Sequence, residues 1–430
     1  MHRIGIRRED KSQWERRVPL APAHVAPLIA EEGLSVIAQS SPIRIYADEE
    51  YRNAGAEVSD SLAECGVVMG VKEIPASLLM ANRAYVCFSH TIKGQPENMP
   101  LLQAALDYDA TLIDYELITD KAGRRLVFFG RHAGVAGMID SLWSLGQRLR
   151  AEGVASPFDA IEPTHRYDDM AAACDAVRRA GEKIASDGLP ESMAPLVCGI
   201  TGYGNVSRGA QEIFDLLPVV DVAASDLATL KGDRHHCYKV VFQEQDLVVH
   251  KEDGKSFDLQ EYYEAPHNYR GVFPQYAPHL SMLINCIYWD ARYPKLMTKS
   301  DFSDLFASGS ARLKVVGDIT CDIDGSLECT THATTPDNPT FIFDVEKGVA
   351  VEGPAGNGPL VLAVDFLPCE LPRDASMAFG DALFPLVPSL AKADYTKDLA
   401  EIGLPESLQM ATITHRGKLM PRFEYLQAHL

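Results

Sequence analysis

Two sets of residues in this 430-residue chain have the types and spacing that chemistry requires. The first is Pro195-Leu196-Val197-Cys198-Gly199-Ile200-Thr201-Gly202-Tyr203-Gly204-Asn205-Val206-Ser207, an apolar run ending in Gly202-x-Gly204 and passing into a helical pattern through Leu217. Strand, glycine turn and helix together set a pyrophosphate on a helix N-terminus. Gly202 permits the tight turn, Gly204 lets backbone approach the phosphates, and Asn205, Val206 and Ser207 open the helix. Ser207 stands where a third glycine is usual and is small enough for close packing. The second set is cationic: Arg17 in Trp14-Glu15-Arg16-Arg17, Lys72 in Gly70-Val71-Lys72-Glu73, and His90 and Lys93 in Phe88-Ser89-His90-Thr91-Ile92-Lys93. Lys72 and His90 each follow an apolar strand-like run, and strand carboxyl ends are where open α/β sheets hold ligands. Taken singly, each is as readily a solvated loop cation. Three such segments in order are harder to dismiss.

The elements that must position them alternate. Arg3–Ile6, Leu34–Ala38, Val67–Lys72, Ala84–Phe88 and Thr111–Tyr115 read as strands, with helical stretches at Ala21–Glu32, Leu62–Ala63 and Pro100–Tyr108 between them. A turn at Ala122-Gly123 predicts a hairpin whose second strand is Arg125–Phe129. A helix runs from Gly130 to about Arg150, and its small residues 133, 134, 136 and 137 suit close packing. Residues 156–191 read as a helical excursion. Beyond the glycine turn, Val219–Ala223 is the expected second strand, followed by Leu247–His250, Met282–Tyr288 and Lys314–Ile319; residues 231–280 have no clear pattern. Strands alternating with helices predict an α/β fold, two Rossmann-like doubly wound domains with mainly parallel sheets and a cleft between them.

Composition narrows the partners. With 40 Lys+Arg against 60 Asp+Glu the formal net charge is −20, which disfavours nucleic acid and anionic membrane surfaces but leaves an anionic substrate open to local arginines. No signal-like region or membrane-length apolar run occurs. Nine cysteines without a Cys-x-x-Cys pair read as reduced thiols of a cytoplasmic protein, Cys321 and Cys329 included. His235-His236-Cys237 lacks a second ligand pair at zinc spacing, so no metal is expected.

The chain resembles the alanine dehydrogenase superfamily, and more closely the lysine–2-oxoglutarate reductase domain of aminoadipate semialdehyde synthase and the lysine-forming saccharopine dehydrogenases. The resemblance rests on Arg7-Arg8-Glu9-Asp10, Trp14-Glu15-Arg16-Arg17, Phe88-Ser89-His90-Thr91-Ile92-Lys93, Leu112-Ile113-Asp114-Tyr115-Glu116, Gly204-Asn205-Val206-Ser207-Arg208-Gly209, Asn285-Cys286-Ile287-Tyr288-Trp289, Asp318-Ile319-Thr320-Cys321-Asp322 and Leu367-Pro368-Cys369-Glu370-Leu371-Pro372. It implies a discontinuous substrate domain, residues 1–135 plus 368–430, and a dinucleotide-binding domain over 136–367. It implies reductive condensation of L-lysine with 2-oxoglutarate to saccharopine, or the reverse. The alternatives are another opine or amino-acid dehydrogenase, or a nucleotide-binding regulatory protein whose catalysis has decayed.

The resemblance also implies roles. Lys72 and His90 match an acid–base pair, and Arg17 a clamp for the keto-acid carboxylate. Lys93, Arg125 and Phe129 match further substrate-side positions. Glu73 and Glu116 match holders of the lysine ammonium groups, and Asp322 an acid facing the nicotinamide; for Glu116 and Asp322 a cap or loop carboxylate is an equal reading. Asp221 falls inside the expected second strand, whose end carries Ala223, Ala224 and Ser225, and Lys231, Arg234, His235 and His236 follow in a loop. With no acid at the ribose position, and with relatives that use NADPH, NADP(H) is expected over NAD(H), Ser225 lying at the ribose; a solvated basic loop is the plainer reading of the cations. A homo-oligomer and a separate saccharopine-oxidising partner enzyme complete the expectations.

Overall fold

In the computed structural model, which describes residues 2–430, the apolar runs of the N-terminal stretch become strands of one parallel sheet. These are β1 (Arg3–Ile6), β2 (Ser35–Gln39), β3 (Glu57–Ser59), β4 (Val67–Met69), β5 (Ala84–Cys87) and β6 (Thr111–Asp114), in the order β6-β5-β4-β1-β2-β3. Every residue of β4, β5 and β6 is buried, as in a sheet covered on both faces. The covering helices include α1 (Pro22–Ala30), α2 (Asp48–Asn53), α3 (Met99–Asp107) and the helix Pro372–Leu383, whose Phe379 and Leu383 are fully buried. The C-terminal strands β17 (Thr412–His415) and β18 (Lys418–Leu419) close the β6 edge with antiparallel pairing. These elements make one unit, Met1–Phe129 with Pro372–Leu430; Gly130–Leu371 makes the other.

Two details depart from expectation in this unit. Residues 62–63 form no helix; Leu62 is core-packed in a connecting turn. The hairpin after Gly123 is reduced to one bridge, Thr119 with Arg125, so Arg125–Phe129 is not a strand. The turn itself forms, with Gly123 at φ +77 and its N–H donating to the Asp120 carbonyl at 2.9 Å.

The second unit is built on β7 (Leu196–Thr201), β8 (Val219–Asp221), β9 (Cys237–Phe242), β12 (Met282–Asn285), β13 (Val315–Asp318), β14 (Thr340–Asp344), β15 (Val349–Val351) and β16 (Leu360–Leu362). Their order is β15-β14-β16-β13-β12-β7-β9-β8, parallel except where β14 pairs. The strand flanking β7 is therefore β9, inside the stretch without a clear sequence pattern. Val219–Ala223, expected in that place, supplies only the edge strand β8. β9 is nearly all buried, whereas Val220 and Asp221 of β8 are exposed. Expected strand Leu247–His250 forms β10 (Val248–His250), paired with β11 (Tyr269–Gly271) in a separate ribbon.

Helices α4 (Gly130–Ala151), α5 (Met170–Asp187) and α6 (Asn205–Phe214) pack around this sheet. A Cβ on Gly134 would collide with the Val206 carbonyl oxygen, and one on Gly209 with the Arg131 carbonyl oxygen. Only glycine at both positions lets α4 and α6 meet backbone to backbone. The tight approach within α6 thus falls at Gly209, toward a helix, rather than at Ser207 toward a strand.

Candidate active site

Because β1, β4, β5 and β6 are parallel neighbours, the loops after them emerge at one edge of the sheet, and most of the cationic set lies on these loops. The loop after β1 carries Glu9, which is buried. Its carboxylate accepts the N–H of Val71 at 2.7 Å and of Lys72 at 3.1 Å, fixing the backbone that bears Lys72. Burial, then the nearby Glu15 carboxylate, pushes Glu9 up to about 7. Gly70 and Val71 turn the chain so that Lys72 is half-buried, and its ammonium makes no hydrogen bond or ion pair among the described residues.

Glu73 joins three elements. Its Oε1 meets His90 Nδ1 at 2.7 Å, and Lys11 Nζ donates to both its oxygens at 2.9 Å. Against the upward pull of burial, these bonds bring Glu73 down to about 2, so it is a fixed negative charge. His90 sits at φ +53, a left-handed backbone uncommon outside glycine, which marks a position held by its surroundings. Part of that hold is Asp114 at the end of β6. Its buried carboxyl takes the Ser89 N–H at 3.0 Å, the Ser89 hydroxyl at 2.5 Å and the Glu116 N–H at 2.8 Å.

Of the remaining expected substrate residues, Arg17 meets Phe129 and Glu116 meets Arg125. Arg17 is buried and forms a two-toothed pair with Glu15, Nε to Oε1 at 2.8 Å and Nη2 to Oε2 at 2.5 Å. Its guanidinium lies 4.1 Å from the Phe129 ring centre, and Phe129 stacks on Phe379 at 4.4 Å. One edge of the expected carboxylate clamp is thus already engaged by an internal carboxylate. Glu116 and Arg125, expected to hold opposite ends of a substrate, are ion-paired together. Lys93 is exposed at the end of a short 3-10 turn.

Around Gly202, the second unit has a phosphate-type turn. Gly202 has φ +82 and donates its N–H to the Phe242 carbonyl at 2.9 Å. Gly204 caps α6, and a Cβ there would meet nothing within 4 Å, so backbone faces open space. Asn205, Val206 and Ser207 form the first helical turn, whose N–H groups lack intrahelical acceptors. Ser207 is buried and its hydroxyl accepts from Gln211 at 3.0 Å. Beneath the turn, Thr201, Asn285 and Asp318 link the ends of β7, β12 and β13 at 2.8 and 2.9 Å, and Asp318 also takes the Thr330 hydroxyl at 2.5 Å. Asp322 is exposed in the loop after β13.

The residues expected at the ribose do not lie beside β7. Ser225 follows the edge strand β8 and bonds Asp226 at 3.2 Å, so it is not at the end of the strand flanking β7. The basic loop precedes β9 and lies at the amino edge of the sheet, where Arg234 donates to the Leu189 and Asp187 carbonyls. The strand that does flank β7, β9, ends at Phe242, and Glu244 stands two residues beyond it. Glu9, Lys11 and Asp114 were likewise not singled out. A strand-end carboxylate in Arg7-Arg8-Glu9-Asp10 and in Ile113-Asp114 is the only visible signal for Glu9 and Asp114, and Lys11 carries none.

Residues 5–136 match the family model for the alanine dehydrogenase/PNT N-terminal domain. The chain is 42% identical to alpha-aminoadipic semialdehyde synthase of Arabidopsis thaliana over 98% of its own length and 41% of that protein. It is 37% identical to the mitochondrial alpha-aminoadipic semialdehyde synthase of Bos taurus, covering 99% of the chain and 47% of the relative. The chain thus spans under half the length of these relatives. It is also 27% identical to the saccharopine dehydrogenase [NAD(+), L-lysine-forming] of Yarrowia lipolytica, over 91% of the chain and 93% of the relative. Among solved structures, an L-alanine dehydrogenase superposes with TM-score 0.63 at 19% identity, covering 99% of both chains. A transhydrogenase from Sinorhizobium meliloti gives 0.55 at 15%, over 97% of this chain and all of that one. The fold is the α/β, Rossmann-like fold of alanine dehydrogenase. The chain is thus similar to the semialdehyde synthases over part of their length and to a lysine-forming saccharopine dehydrogenase over nearly all of its length, and its residues 5–136 match the alanine dehydrogenase/PNT N-terminal domain. No helix among the described residues is long and apolar enough to cross a membrane.

Proposed function

We propose that this chain is an oxidoreductase that condenses L-lysine with 2-oxoglutarate and reduces the resulting imine to saccharopine with a nicotinamide dinucleotide, or runs the reverse. The observation that carries the reading is the Lys72-Glu73···His90 arrangement on adjacent parallel strand ends. Carbinolamine formation and loss of water need groups that give and take protons near the reacting carbon. Lys72, with an ammonium bonded to no other described residue, and His90, with Glu73 at 2.7 Å, are suited to that exchange. Glu73 stays ionised and supplies a counter-ion whenever His90 carries a proton. Glu9 positions Lys72 through its backbone. The substrate carboxylates would draw on Lys93, on Arg125 shared with Glu116, and on Arg17 shared with Glu15.

The residues around Gly202 fit a dinucleotide: a positive-φ glycine, a capping glycine facing open space, and a helix start with free donors. When bound, the cofactor supplies the hydride. Asn205, Val206 and Ser207 would hold the phosphates, and Asp322 would face the nicotinamide side. The NADP(H) expectation rests on relatives that use NADPH and on the lack of an acid after Val219–Ala223; Ser225 and the basic loop do not lie at the end of β9, the strand beside β7. A cytoplasmic setting fits nine free cysteines, eight of them buried, as any reducing compartment would. Homo-oligomerisation, and a separate enzyme that oxidises the saccharopine formed, belong to the same reading.

The test is purified protein with lysine, 2-oxoglutarate and each reduced nicotinamide cofactor, followed at the nicotinamide absorbance. Lysine-dependent oxidation supports the reading. Turnover with a different amine replaces lysine in it, and cofactor binding with no turnover on any amine favours a decayed enzyme.

A further inference from the structure

The carboxyl end of β9 carries an acid that no sequence spacing rule would find. Glu244 lies two residues beyond Phe242, far from the glycine turn in sequence yet beside it in space. Its Oε1 accepts the Tyr263 hydroxyl at 2.8 Å and the Tyr203 hydroxyl at 3.3 Å. Tyr203 is the residue between Gly202 and Gly204. Two phenols from two elements therefore aim this carboxylate, and its Oε2 has no hydrogen bond among the described residues. Glu244, Gly202, Gly204, Tyr203 and Tyr263 all line one cavity of about 400 Å³.

Building on the dinucleotide reading, we infer that Glu244 reads the adenosine ribose, and that this unit takes the dinucleotide with a free 2′-hydroxyl, NAD(H), in preference to the 2′-phosphorylated form. A carboxylate at the end of the strand flanking the phosphate turn accepts hydrogen bonds from a ribose diol. A phosphate dianion in the same place faces like charge at close range. Among the described residues that line the cavity, the one cation is already engaged. Lys295, the cation lining the cavity, donates to the Asp324 carbonyl and to Glu328, both at 2.7 Å. Lys239 of β9 is held by Asp215 at 2.6 Å and Asp221 at 3.2 Å. The loop with Lys231, Arg234, His235 and His236 precedes β9, whose length puts it roughly 20 Å from the carboxyl end at the usual strand rise. Arg208 opens α6 but does not line the cavity.

The experiment titrates NADH and NADPH separately into the protein without substrate, reading nicotinamide fluorescence. Wild type is expected to bind NADH at least about tenfold more tightly than NADPH, and Glu244→Ser to weaken NADH, strengthen NADPH and shrink the ratio about tenfold or more. If Glu244→Ser fails to fold, Glu244→Gln keeps the shape and removes the charge, and the same ratio is read. Equal or tighter NADPH binding by wild type overturns the inference, as does a ratio unmoved by both substitutions. Binding of neither cofactor overturns the dinucleotide reading and the inference with it. NADH preference without lysine-dependent turnover supports the inference while refuting the substrate reading.

Discussion

Glu9→Gln tests whether the acid that fixes the Lys72 loop is held neutral by its burial. The native carboxyl titrates at about 7 against an ordinary 4.5, because burial and Glu15 both oppose its charge. Such a group binds its proton more tightly in the folded than in the unfolded state. Its contribution is therefore favourable at low pH relative to high pH: stability falls as pH rises from 4.5 and levels off above 7. The full difference corresponds to about 3 kcal/mol, of which about 2–3 kcal/mol lies between pH 5 and pH 8. Glutamine has nearly the same shape and cannot ionise, so the variant lacks this slope. Relative to wild type, Glu9→Gln should gain about 2–3 kcal/mol on going from pH 5 to pH 8, whatever it loses at every pH by giving one backbone N–H a poorer partner. Urea unfolding followed by Trp14 fluorescence, with Trp143 and Trp289 replaced by phenylalanine in both proteins, isolates the first unit. A stability difference between the two that stays flat across this pH range would refute the reasoning.

Lys72→Met and His90→Gln should each lower kcat by about 10²–10⁴ with little change in cofactor affinity, and the double variant should be little worse than the poorer single; raised KM with kcat intact in both would contradict the acid–base roles. Arg17→Ala leaves the buried Glu15 carboxylate without its two-toothed partner and should cost about 3–5 kcal/mol of stability, partly recovered by adding Glu15→Gln; unchanged denaturation midpoints would show the pair to be dispensable. Gly204→Val should fold normally, because a Cβ there meets nothing within 4 Å, yet lose dinucleotide binding because that space is the phosphate approach. Undiminished cofactor affinity in the folded variant would remove the turn's assigned role.

Local signals were legible where a single element carried them. The glycine pair with its flanking strand and helix needs no distant partner, and the β1, β4, β5 and β6 runs are apolar enough to announce a covered sheet. β9 was missed because Lys239 sits in the middle of Cys237–Phe242, and a lysine reads as surface. In the structure that lysine is only 5% exposed, made tolerable by Asp215 from the end of α6 and Asp221 from β8. With β9 unreadable, the strand next to β7 falls in sequence on Val219–Ala223, whose end leads to Ser225. Pairings such as Glu73 with His90, or Glu116 with Arg125, were invisible for the same reason: sequence lists charges, whereas only the fold decides which charges meet. Arg17 shows the converse. Its partner stood two residues away in Glu15-x-Arg17, but the turn that folds one onto the other cannot be read from spacing alone.

The strand order of the first unit has a consequence for synthesis. β6 is completed early, but the partner of its outer edge, Thr412–His415, leaves the ribosome only after all of Gly130–Leu371. Throughout that interval the nascent protein carries an unpaired strand edge of four fully buried-type residues, Thr111–Asp114, which invites pairing with other chains. The second unit, contiguous in sequence, can finish first. A chain halted after Leu371 should yield a protease-resistant core from residues 130–371 and rapid cleavage before residue 130; equal resistance of both parts would show that the last strands are not needed to complete the first sheet.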